Sequence, residues 1–344
     1  VSANYRLNVF GFPGAPNAAT NLGLRDQRLA IEWVHQNIAA FGGNPKKIVI
    51  AGQSSGGAAV DWWSYAHKDN PIVHGLMSTS GNVFSFPMNP PQKQTENWYA
   101  LSAAVGCGSS GDTLPCMRKQ PFDTISKAVS KIAPSPGGSP VRSTPPFYPK
   151  VDNETIFSDY LSLSAAGKFA PLPYFHGHNN YEQGYYVIPA FAQGRNVTAN
   201  QTDQFLLESF VCPISYEARS RVNAKVPTWV YRYFGDWDNT RLYPTSGAYH
   251  GTELNMILGG SEDASGLPAS QAQKDTARLF QRAVAAFAED PKNGLSKIGW
   301  PMFNPQKESW IEIGKGNEPK ATFVKPERYD GACGDVVLGS RSTL

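Results

Sequence analysis

The sequence has no run of five like charges, and its formal charge is only +3 over 344 residues. A chain so evenly charged offers neither a phosphate-tracking surface nor a polybasic membrane patch, which argues against nucleic acid and anionic lipid as partners. No apolar stretch approaches the roughly 18 residues of a membrane span, and no charged-then-apolar leader opens the chain. Cysteine is scarce, at four residues, too few for a disulfide scaffold. Histidine is scarce too, at six, which narrows any search for a catalytic base or metal ligand. There is no internal repeat. What remains is an ordinary globular composition, 41% hydrophobic, enough for one large α/β domain or two smaller ones.

The first residues, "VSANYRLNVFGF", carry no initiator Met and read as an apolar, strand-like pattern, as if the chain starts in mid-fold. Cys107 and Cys116 bracket a short loop, "CGSSGDTLPC", of the kind a local disulfide staples, the alternative being two buried thiols. Cys212 and Cys333 are left as a second pair by subtraction. Asn-x-Thr triplets at Asn153, Asn196 and Asn200 add a vote for the secretory route. Together these features favour an oxidising compartment.

"NLGLRDQRLAIEWVHQNIAAFGG" sets Ile31, Val34, Ile38 and Phe41 at helical spacing and stops at Gly42-Gly43. Ile48, Val49 and Ile50 follow as a strand expected to be buried on both faces, the rhythm of a parallel sheet with crossover helices. "VHGLMSTSGNV", "LPYFHGHNNYEQG" and "TWVYRYFGD" read as further strands, and "QKDTARLFQRAVAAFAED" as an amphipathic helix through Ala277, Phe280, Val284 and Phe287. Residues 84–150, dense in Pro, Gly and Ser, read as a loop-rich surface excursion rather than an interdomain linker.

Between the strand at 48–50 and a run of small residues stands Gly52-Gln53-Ser54-Ser55-Gly56, a G-x-S-x-G. A chain that must turn sharply from strand to helix holds its central serine strained with Oγ exposed, and glycines at 52 and 56 would remove the colliding Cβ atoms. The plain alternative is a structural Gly-Ser turn. A nucleophilic serine on a strand-to-helix turn of this kind needs an acid and then a histidine, in that chain order. His35 and His67 lie on helices or their ends, and His74 just before a strand. His250, after the last of the strands read above, is the candidate base. Glu182, after "LPYFHGH", is the candidate acid, with Asp236 and Asp238 as runners-up and a solvated loop carboxylate as the plain reading. His176-Gly-His178 lacks a third ligand and is not read as a metal site. Gly106, Gly108 and Gly111 spell a G-x-G-x-x-G, but it is interleaved with Cys107 and opens no clear helix, so it is not a dinucleotide site.

Taken in order, "NYRLNVFGF", "NLGLRDQRLAIEWVHQNIAAFGGNPKKIVIAGQSSGGAAV", "HGHNNYEQG", "AYHGTEL" and "WPMFNP" resemble the type-B carboxylesterase and cholinesterase-like family of α/β-hydrolases. The resemblance runs through nearly the whole chain and implies the α/β-hydrolase fold, a mostly parallel sheet flanked by helices, as a single domain over 1–344. It implies Ser54 as nucleophile, Glu182 as acid, His250 as base, Ser80 as a support for the acid and histidine, and Ser55 as an oxyanion donor through its backbone N–H. It also implies the pairings Cys107 with Cys116 and Cys212 with Cys333, and no cofactor or metal.

This sequence departs from the family in three ways. The family's glycine-rich oxyanion loop, first disulfide and first strands would lie upstream of Val1, so a fragment of a longer protein is expected. Gln53 stands where cholinesterases have a glutamate, which favours neutral over cationic esters. The stretch from Glu182 to His250 is short for the family, and "NYEQG" has an extra residue between the acid and its glycine. The resulting expectation is a secreted serine hydrolase that cleaves small-molecule carboxylic esters through an acyl-enzyme. Lipase and feruloyl-type esterase are alternatives within the class, and a non-catalytic binding protein on the same scaffold is the alternative outside it.

Overall fold

The computed structural model describes residues 1–16, 18–88, 91–336 and 338. They fall into two compact units, one built from residues 1–43 and 87–158, the other from residues 44–86 and 159–338.

The second unit carries a six-stranded sheet of β1 (Val49–Gln53), β2 (Gly75–Thr79), β3 (Tyr174–Asn179), β4 (Thr228–Tyr233), β5 (Trp310–Ile313) and β6 (Ala321–Val324), adjacent in that order. β1 to β5 run parallel, and β6 turns back antiparallel on β5. Its helices include α1 (Ser55–Ala66), α2 (Gln183–Ala192), α3 (Ala199–Leu206), α4 (Cys212–Asn223), α5 (Glu253–Leu258) and α6 (Gln271–Glu289). Residues alternate across each strand, so one register sorts side chains to two faces. On one face Phe175, Trp229, Tyr231 and Ile311 pack with Phe280 and Phe287 of α6, all at most 1% exposed. Phe280 and Phe287 lie on the helix stripe expected from the sequence, and Ser270 caps that helix by accepting from Gln273 N–H.

On the other face Tyr174 lies beside a buried ionic cluster, in which Arg221 of α4 donates to Glu217 at 2.6 Å, to Asp61 of α1 at 2.8 Å and to the Ser64 hydroxyl at 2.7 Å. The guanidinium also lies 4.0 Å from the centre of the Phe169 ring. Cys212 and Cys333 are disulfide-bonded. β1 is half-buried, not enclosed on both faces as expected for 48–50, because among the described residues it pairs on one side only.

In the first unit a helix runs from Leu22 to Asn37 and closes in a short 3-10 turn, Ile38–Phe41, before Gly42, whose φ of 79° ends it. Its expected apolar face is only half-buried, and Phe41 is exposed. The opening segment is not a strand: Asn8, at a φ of 53°, bends the chain into a helical turn, Asn8–Gly11. Nor is the excursion merely loops. It contains helices Pro91–Ala104, Leu114–Met117 and Phe122–Val129, whose Trp98, Leu101, Ile125 and Val129 form a small core with Val9 and Phe147. Three- and four-residue spacings set those side chains, and the surrounding Pro and Gly obscure the pattern in the sequence. Cys107, in the loop that joins the first two of these helices, is disulfide-bonded to Cys116 within the second.

Candidate active site

β1 delivers the chain to Ser54 and α1 carries it away, and Ser54 itself sits at φ 59°, ψ −120°. That conformation is costly for any residue with a Cβ, and it persists because the surroundings hold it. Ser54 N–H donates to the Thr79 carbonyl at 2.8 Å, and the Ser54 carbonyl accepts from Ala58 N–H at 2.9 Å. A Cβ on Gly52 would come within 2.2 Å of the Gly56 carbonyl oxygen, and one on Gly81 within 2.2 Å of the Ser54 carbonyl oxygen. A Cβ on Gly56, by contrast, would meet nothing within 4 Å. The turn therefore needs Gly52 and, across the sheet, Gly81, whereas at Gly56 the backbone rather than a missing Cβ is the obstacle.

His250 follows β4 in a loop that returns to the sheet's carboxyl end, and its Nε2 lies 2.8 Å from Ser54 Oγ. Its Nδ1 is 2.6 Å from Glu182 Oε2. Glu182, fully buried, stands directly before α2. Its other oxygen accepts from Ser80 Oγ at 2.7 Å and from Asn179 N–H at 2.6 Å. The extra residue of "NYEQG" is Gln183, the first residue of α2, so it is absorbed beyond the carboxylate and leaves its reach to His250 intact. Asp236 and Asp238, the other acid candidates, are both engaged by Arg241. Ser55 opens α1, where a backbone N–H has no acceptor one turn back in its own helix. Asn153, Asn196 and Asn200 are all exposed.

Two residues that the sequence reading did not single out complete the support. Asn179 donates its side-chain amide to the Tyr249 carbonyl at 2.7 Å and to Glu253, tying the histidine's loop to β3. Glu253, buried at the start of α5, lies 3.4 Å from Ser80 Oγ. Burial, and then the charge of Glu182, push its carboxyl up to about 7. An acid one turn after the histidine in "AYHGTEL" was the available signal.

The remaining histidines do other work. His35 is exposed, His67 packs edge-on against Trp63, and His74 Nδ1 accepts from Ile48 N–H at 3.3 Å. His176 and His178 are buried in β3, and among the described residues no group of His, Cys, Asp and Glu could hold a metal ion. Burial, with Arg221 nearby, lowers His176 to about 3. A histidine depressed from an unfolded value near 6.5 stabilises the fold fully above that value, and its contribution is lost as pH falls toward the folded value. Between neutrality and pH 4 His176 should therefore cost on the order of 3 kcal/mol of stability. Urea unfolding at both pH values checks this, and His176→Phe should flatten the loss.

A serine on a strained strand-to-helix turn, above a mostly parallel sheet flanked by helices, defines an α/β-hydrolase. More narrowly, the chain belongs to the carboxylesterase family, whose model matches residues 1–210 and 199–331. It is 32% identical to secreted lipase 5 of Gibberella zeae over 96% of its own length and 64% of that protein. With chlorogenic acid esterase of Aspergillus niger it shares 34% identity over 94% of this chain and 62% of the other. With acetylcholinesterase of Bungarus fasciatus it shares 25%, over 94% and 61%. The chain thus spans less than two thirds of the length of these relatives.

Proposed function

We propose that the protein hydrolyses neutral carboxylic esters through an acyl-enzyme on Ser54. The carrying observation is the unbroken series of short hydrogen bonds from Ser54 Oγ through His250 to Glu182. Glu182 holds Nδ1–H of the imidazole and so presents a lone pair at Nε2. His250 takes the Ser54 proton as Oγ attacks the ester carbonyl, and the Ser55 N–H is one donor to the oxyanion. The alcohol leaves with the proton from Nε2, and water then repeats the sequence on the acyl-enzyme. Glu253 and Ser80 support the carboxylate rather than touch the ester.

Gln53 brings no charge to the position before the nucleophile, which suits an uncharged ester. Lipase and feruloyl-type activities stay within the same chemistry, and the names of the secreted lipase and chlorogenic acid esterase relatives support that range. Both disulfides and the secreted relatives support passage through the secretory route, where the exposed Asn153, Asn196 and Asn200 would be glycosylated.

A fluorophosphonate probe tests the reading. The full-length protein should gain one adduct, on the peptide that contains Ser54, and His250→Ala should suppress it. A native protein that takes no label, or takes it elsewhere, would be a binding module or would use another nucleophile.

A further inference from the structure

We propose that Tyr186 is a positioning residue for this reaction: its hydroxyl holds the His250 imidazolium while the proton passes from Ser54 to the leaving alcohol. The proposal rests on the triad reading above.

Three polar atoms converge on one nitrogen. Nε2 of His250 has Ser54 Oγ at 2.8 Å, the Gln53 side-chain amide nitrogen at 3.2 Å and the Tyr186 hydroxyl at 3.3 Å. With Nδ1–H given to Glu182, the neutral ring offers a single in-plane lone pair at Nε2. The serine, being nearest, takes it.

Proton transfer reverses the demand. As the bond from Oγ to the acyl carbon forms, the serine proton moves to Nε2, which becomes a donor. The Gln53 amide then presents N–H to N–H and must turn half a revolution to offer its oxygen. A phenol need only rotate its O–H, since a hydroxyl both donates and accepts. When the bond from the acyl carbon to the alcohol oxygen breaks, the Nε2 proton goes to that oxygen, and Tyr186 keeps its own proton throughout.

The phenol is held for this role. Tyr186 lies on α2 one helical turn beyond Glu182, so the helix start that sets the carboxylate at Nδ1 also sets the hydroxyl at Nε2. Its ring packs edge-on against Phe205 of α3 with centroids 4.8 Å apart, and lies 5.0 Å from the imidazole. Phe210 joins the same ring cluster, 5.7 Å from Phe205, 6.1 Å from Tyr186 and 5.4 Å from His250. The acidic groups around the imidazole are Glu182 before α2 and Glu253 on α5, and both are anchored by Ser80 and Asn179 rather than by the phenol.

Tyr186→Phe in the full-length protein removes the hydroxyl and leaves the ring. With p-nitrophenyl butyrate, kcat should fall roughly tenfold while KM stays within about twofold, as expected for one lost hydrogen bond to a charged group. The acid limb of the pH profile of kcat/KM should move about half a unit lower, because an acceptor for the imidazolium has gone. Phe205→Leu loosens the same ring cluster but keeps the hydroxyl, and it should leave the acid limb in place. Unchanged kcat and acid limb in Tyr186→Phe, a rise in KM alone, or an equal shift in Phe205→Leu would each overturn the proposal. Full activity in Ser54→Ala would instead remove the triad reading on which it rests.

Discussion

Ser54→Ala in the full-length protein should lower kcat/KM for a short-chain aryl ester on the order of 10⁵-fold. The alanine keeps the Cβ and hence the same backbone demand at φ 59°, so the turn, its bond to Thr79 and the orientation of His250 have no reason to change. The loss is therefore chemical. His250 retains its bond to Glu182 but has no hydroxyl to deprotonate. Ser54→Gly separates chemistry from fold more sharply. It should be as inactive, yet more stable by about 1 kcal/mol, because glycine occupies this conformation without strain. Steady-state kinetics with thermal unfolding read both effects, and substantial residual hydrolysis in either variant would rule Ser54 out as nucleophile.

The largest loss of stability is expected at Arg221, far from the reacting atoms in sequence but in the same unit. Its guanidinium, Asp61 and Glu217 are all fully buried. One cation cannot neutralise two carboxyls, and burial together with the Glu217 charge pushes Asp61 up to about 8. Arg221→Met would leave the buried Glu217 without its counter-charge, beside an Asp61 already largely protonated at neutral pH, and should cost roughly 3–5 kcal/mol. It would also remove the plate packed on Phe169 and Tyr174. Denaturant unfolding at neutral pH measures the loss. Adding Asp61→Asn and Glu217→Gln to the same chain should recover a good part of it, since the penalty lies in the charge stranded on the acid pair rather than in the missing bonds. If Arg221→Met unfolded at the same midpoint as the parent chain, the cluster would carry none of the stability assigned to it.

The strand-to-helix turn around Ser54 was readable because its signals are local. An apolar run, a glycine, a central serine and a small-residue helix occupy one short stretch, and the turn itself dictates them. The disulfide loop of Cys107 and Cys116 was readable for the same reason. Ile48 to Ile50 misled because apolar composition says that a strand is wanted and not how many neighbours it pairs with. The helices in 91–129 were missed because Pro, Gly and Ser between them drown a periodicity carried by a few side chains.

Among carboxylates, chain order admits Glu182, Asp236 and Asp238 alike. The parallel register of β3 against β2 brings Ser80 to Glu182, which Asn179 N–H reaches locally from three residues back, while Arg241 takes the other two. The glycine at 81 has the same origin, since its neighbour in space is the Ser54 carbonyl and not anything near it in the chain. The sequence was sufficient for the strand-to-helix turn at Ser54 and for the fold class, because short-range sterics and periodicity write those locally. The approach of Glu182 to His250, the buried pair of Glu182 and Glu253, and the meeting of Ser54, Gln53 and Tyr186 at one imidazole nitrogen came from folding, because each depends on groups that only the sheet's register and the helix packing bring within hydrogen-bond reach.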